Sequence, residues 1–83
     1  MTVGADDVRR LLACQEPDGA LVVIEGRIEV ATPAELESPE YQGALQVATR
    51  QQVVQRAGGD ELSDRELAEQ AEELDTAVRN LGA

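Results

Sequence analysis

Leu21-Val22-Val23-Ile24-Glu25-Gly26-Arg27-Ile28-Glu29-Val30-Ala31-Thr32-Pro33-Ala34-Glu35 decides the fold. It opens on a continuous aliphatic run, Leu21 to Ile24, of the kind that a strand buried on both faces requires. After Gly26 the pattern changes. Arg27-Ile28-Glu29-Val30 alternates, as a half-exposed strand does. Glu25-Gly26 between them fits a two-residue hairpin turn; the alternative is a bulge at Gly26 within one long strand. Thr32-Pro33-Ala34-Glu35 then fits a capping box. In that device the Thr hydroxyl accepts from the amide three residues on, and the Glu carboxylate reaches back to the Thr amide. Pro33 takes the first helical position, where its missing N–H costs nothing.

Two further segments use the same grammar. Thr49-Arg50-Gln51-Gln52 and Ser63-Asp64-Arg65-Glu66 also fit the capping box. Each of the three boxes is bracketed by a candidate hydrophobic staple: Ala31 with Leu36, Ala48 with Val53, and Leu62 with Leu67. Val30-Ala31-Thr32 and Val47-Ala48-Thr49 match as strand end and helix cap, and Ala44 to Ala48 reads as a further strand. The link from Thr32 to Gly43 is about the minimum for a parallel crossover and so admits a compact βαβ unit, right-handed if it forms.

The remaining segments read outward from this centre. Residues 6–14 predict a short helix capped by Asp6, with Val8, Leu11 and Leu12 on one face. Glu16-Pro17-Asp18-Gly19 is turn chemistry. Ser38-Pro39 stops the helix begun at Pro33. A second helix runs from Arg50 to about Ala57, with Val53, Val54 and Ala57 inward, and Gly58 suits its left-handed end. The last helix runs from Asp64 to about Leu81 and is closed by Gly82. Its stripe of Leu67, Ala71, Leu74, Val78 and Leu81 either packs on the domain's own sheet or meets a helix of another chain. Together these elements predict one small domain over residues 1–83, α/β with α+β as the alternative: a two- to three-stranded sheet, flanking helices and a long acidic C-terminal helix.

Composition narrows the function. The chain has seventeen Asp and Glu against seven Lys and Arg, no His and a net charge of −10. All seven cations are arginines. Such a surface lacks the basic footprint needed to bind nucleic acid or anionic membrane. Tyr41 is the only aromatic residue, so no Trp or Phe can anchor an interface. With no His and no Lys, the commonest general base and the Schiff-base amine are both missing. One Cys and no His cannot build a zinc site, and Asp60-Glu61-Leu62-Ser63-Asp64 lacks the pattern of a calcium loop. Neither a cofactor nor a metal is expected. Cys14 could act as a nucleophile only beside a cation such as Arg10; the simpler reading is a small hydrophobe. A lone Cys and an N-terminus without a basic, apolar leader predict a cytoplasmic protein.

The densest charge runs through Asp60, Glu61, Asp64, Glu66, Glu69, Glu72, Glu73 and Asp75. Glu66, Glu69 and Glu73 share one helix face, where Glu69 and Glu73 repel at i, i+4 with no cation expected nearby. The expectation is a non-enzymatic interaction or regulatory module that docks a basic partner through these three carboxylates, or associates with a second copy through an edge strand or the last helix. The alternatives are a DNA mimic that inhibits a nucleic-acid-binding protein, and a small-molecule-binding or Cys-dependent protein.

Overall fold

Leu21 and Val22 are neighbours in the chain, point to opposite faces of a sheet and are both fully excluded from solvent. They lie in β1 (Ala20–Ile24), the middle strand of three. β2 (Arg27–Ala31) and β3 (Leu45–Thr49) flank it, in the order β2-β1-β3. Both pair antiparallel with β1. The computed structural model describes residues 2–81, Leu81 by its backbone only.

The β1–β2 connection is the two-residue hairpin. Ile24 pairs with Arg27, and the turn residues have φ of +50° at Glu25 and +77° at Gly26. Positive φ at both positions makes this the primed turn whose twist matches the strands. A bulge does occur, but elsewhere: the β1–β3 register slips between Leu21 and Val22, leaving Val47 as the extra residue.

One expectation is corrected here. The strands before and after the crossover do not form a compact βαβ unit of paired parallel strands. Both run antiparallel to β1, so they are parallel to each other, but β1 lies between them. Local sequence sets strand and helix boundaries but does not state which strands pair. The tight hairpin pairs β2 with one edge of β1, and β3 takes the other. The sheet is antiparallel, and the fold is the α+β alternative.

Helices cover both faces of β1. On one side lie α1 (Ala5–Ala13), α3 (Arg50–Ala57) and α4 (Asp64–Leu81). Val8, Leu11, Val53, Leu67, Ala71, Leu74 and Val78 from these helices form one core with Leu21 and Ala48. The stripe on α4 is therefore buried in the chain's own core. Its predicted Leu81 contact and the Gly82 stop lie outside the described residues. On the other side the crossover supplies α2 (Pro33–Leu36) and a 3-10 turn (Pro39–Tyr41). There Ala20, Val22 and Ala31 are buried beneath Leu36, Tyr41 and Ala44. The Tyr41 hydroxyl donates to Glu29 Oε1 at 3.3 Å, and Glu29 is also held by Arg27. Arg27's hydrogen bond keeps the Glu29 carboxyl below the usual range.

All three predicted capping boxes form. Thr32 exchanges bonds with Glu35, Thr49 with Gln52 and Ser63 with Glu66, at 2.9–3.2 Å. Both members of each staple fall in the same apolar cluster. α1 departs from its predicted start. Gly4 is its N-cap, and Asp7, three residues on, accepts from the Gly4 amide at 2.9 Å. Asp6 lies inside the helix and pairs with Arg9. The Ser38 hydroxyl donates to the Glu35 carbonyl at 2.7 Å, at the end of α2.

Glu25 is the single described non-glycine residue at positive φ. Asn tolerates that conformation better, and the exposed Glu25–Arg27 pair contributes little in return. Glu25→Asn is expected to stabilise the protein by about 1 kcal/mol. Chemical denaturation would show this as a higher midpoint at unchanged slope; an unchanged or lower midpoint would count against a strained turn.

Candidate functional site

α4 holds its carboxylates in an order that its burial imposes. The stripe Leu67-Ala71-Leu74-Val78 faces inward, so Glu66, Glu69, Glu72 and Glu73 are turned out and exposed. Glu66 is the capping residue: its Oε1 accepts from the Ser63 amide at 3.0 Å. Glu69 and Glu73 do not lack cations. Arg65 lies 3.3 Å from Glu69, and Arg56 reaches across from α3 to within 3.2 Å of Glu73. The three carboxylates chosen from sequence thus share one exposed face, but each already has an internal partner. Glu72, on the same outer side, makes no ion pair among the described residues.

The same holds for the whole cationic complement. Arg9, Arg10, Arg27, Arg50, Arg56, Arg65 and Arg79 each meet a carboxylate of this chain within 4 Å. Glu16, Asp18, Glu35, Glu37, Glu40, Glu61, Glu66 and Glu72 are without such a partner among the described residues.

Two positioning contacts escaped the sequence reading. Arg50 donates through Nε to the Leu12 carbonyl at 3.1 Å and through Nη2 to Asp60 at 3.2 Å, while its amide donates to Gly19 O at 2.8 Å. One side chain thereby joins the end of α1, the start of α3 and the loop before α4. Asp75 is buried. Its Oδ1 accepts from the Val3 amide at 2.9 Å, and its Oδ2 from Arg79 at 2.7 Å. The Arg79 pair has the i, i+4 spacing visible in sequence. The Val3 bond has no local signal.

Beside the start of α4 lies a groove of about 400 Å³, floored by Leu12, Ala13, Leu62 and Leu67 and rimmed by Arg9, Asp60 and Glu61. Cys14 sits apart from it. It is half-buried at the C-cap of α1, at the carbonyl pole of the helix; nucleophilic cysteines favour the opposite pole. Arg10 pairs with Asp7 at 3.4 Å. Among the described residues no group of His, Cys, Asp and Glu is placed to hold a metal, and no helix is long and apolar enough to cross a membrane. No protein-family model, curated protein or solved structure matches this chain.

Cys14 has a packing consequence. A Cβ at position 19 would stand 2.5 Å from the thiol sulfur. Gly19→Ala is expected to cost about 1–3 kcal/mol, as overpacking does. Cys14→Ala should return only part of that loss, because it removes the sulfur but leaves the Glu16 carbonyl oxygen 3.1 Å from the new Cβ. A double-mutant cycle measures the coupling; additive effects would show that the sulfur is not the obstacle.

Asp75 sets an acid limit. The Val3 amide, and after it Arg79, outweigh burial and hold this carboxyl below its ordinary value. The unfolded chain therefore takes up this proton more readily than the folded one. The stabilisation is complete above the ordinary Asp pKa of about 3.9 and is lost as pH falls through the lower folded value. Asp75→Asn should lower Tm at neutral pH and flatten the fall of Tm below about pH 4. Parallel acid profiles for variant and parent would remove Asp75 from the account.

Proposed function

We propose that this chain is a non-enzymatic interaction module of the cytoplasm that docks a cationic partner protein through the outer face of α4. Glu66, Glu69 and Glu73 form the contact set, and Glu72 joins them. The observation that carries this reading is the surplus of carboxylate on that face: Glu66, Glu69, Glu72 and Glu73 are all exposed there, only Glu69 and Glu73 meet an arginine of this chain, and Glu72 meets none among the described residues.

The existing pairs are compatible with exchange. Arg65–Glu69 and Arg56–Glu73 are exposed, and such pairs are each worth about 0–1 kcal/mol. An incoming Arg or Lys can displace them at small cost. Charges placed at a rim chiefly raise the association rate and make binding sensitive to salt. Glu66 would contribute its second carboxylate oxygen while the first stays in the cap.

The test is affinity capture from the host's lysate at low and high salt, with the captured proteins identified by mass spectrometry. The bait is compared with a variant carrying Gln at 66, 69, 72 and 73. Gln preserves the cap, as Gln52 does for α3. A second variant, Glu37→Gln with Glu40→Gln, removes equivalent charge on the crossover. A basic protein held at low salt, released at high salt, lost by the α4 variant and kept by the crossover variant is the expected result. Capture indifferent to the α4 substitutions, or no capture at either salt, overturns the reading.

A further inference from the structure

The two edges of the sheet are not alike. β2 is guarded: Arg27 and Glu29 stand on it as an ion pair, and Glu25 flanks it. Charged side chains on an edge strand oppose pairing with another strand. β3 carries no charge and no proline. The run from Tyr41 to Thr49 is the longest in the sequence without a charged residue. β1 is the only other element lacking charge, and it is enclosed in the centre of the sheet.

β3 also carries Leu45, whose exposure of 51% sets it apart as the exposed large hydrophobic side chain of the described residues. Gln46 beside it is exposed as well. An edge strand presents unpaired backbone donors and acceptors, and the group that satisfies a row of these is another strand.

We propose that β3 is a self-association edge, and that its occupant is β3 of a second copy, paired antiparallel about a two-fold axis. The charge pattern selects a second copy. The edge is uncharged within a chain of net charge −10, so it offers a cationic peptide nothing that other surfaces lack. It is also where two such acidic molecules approach with least local repulsion. An antiparallel pair about a two-fold is self-complementary, since each partner supplies the same strip. The bulge at Val47 limits the continuous paired length, so the dimer is weak and reversible. This proposal is independent of docking at α4.

Salt separates the two. Docking of a cationic partner weakens as salt is added. Pairing of two anions strengthens, because screening reduces their overall repulsion. Sedimentation equilibrium up to about 1 mM chain, a range suited to weak complexes, reads the association directly. The expected result is a monomer of 8.9 kDa in equilibrium with its dimer, tighter with added NaCl. Amide exchange at residues 45–48 should slow with concentration. Leu45→Glu should weaken association about tenfold or more. Gln55→Glu, an equal charge on exposed α3, should leave it unchanged. A single monomeric species throughout overturns the proposal. So does a dimer indifferent to Leu45→Glu, or one whose protection appears only outside β3.

Discussion

β1 has to be covered on both faces, and the rest of the chain is arranged to do this. With one aromatic residue in the sequence, burial must come from Leu, Val, Ile and Ala. Their individual contributions are modest, about 1.5–3 kcal/mol for a fully buried Val or Leu. A domain near this length buries only about 60% of the surface that its unfolded chain exposes. An all-aliphatic strand in the centre of the sheet uses that limited capacity well, because four of its five side chains are buried and Val23 is half-buried. Three helices close one face. The other has only a single turn of helix and a 3-10 turn, and small residues, Ala20, Ala31 and Ala44, let those short elements approach closely.

The charges follow a related economy. Seven arginines are distributed so that each meets a carboxylate, and several of these pairs join elements distant in sequence: Arg9 to Asp64, Arg50 to Asp60, Arg56 to Glu73. As exposed pairs they add little to stability. Their effect is on the pattern of the surface, which becomes locally neutral at element junctions and negative elsewhere. β3, without any charge, is the exception at the surface.

The parts legible in the sequence are those governed by neighbours in the chain. The capping boxes at Thr32, Thr49 and Ser63, the hairpin at Glu25-Gly26, the left-handed stop at Gly58 and the inward stripe on α4 are each decided within a few residues, and each forms. α1 was harder to place because its cap is a glycine amide served from Asp7, a half-box that an adjacent Asp6 obscures. The strand order was not legible, since Val30 and Val47 carry no mark of which neighbour they face. The candidate site divides in the same way. The sequence identifies the outward face bearing Glu66, Glu69 and Glu73. It does not reveal that Arg56 comes to Glu73 from another helix, that Arg50 reaches the Leu12 carbonyl, or that Asp75 takes the Val3 amide, because each of these depends on packing between elements.

The bond from Val3 to Asp75 spans 72 residues, and α4 supplies one wall of the principal core. On the ribosome, Val8, Leu11, Leu21 and Val53 are therefore made well before the helix that shields them. Until Leu67 to Val78 emerge, the nascent chain displays an aliphatic sheet face and an unguarded β3 edge at once. The core cannot be completed segment by segment behind the exit tunnel; it must wait for nearly all of this stretch. α4 brings with it much of the chain's negative charge, so the same segment that shields the aliphatic face also adds to the repulsion between copies.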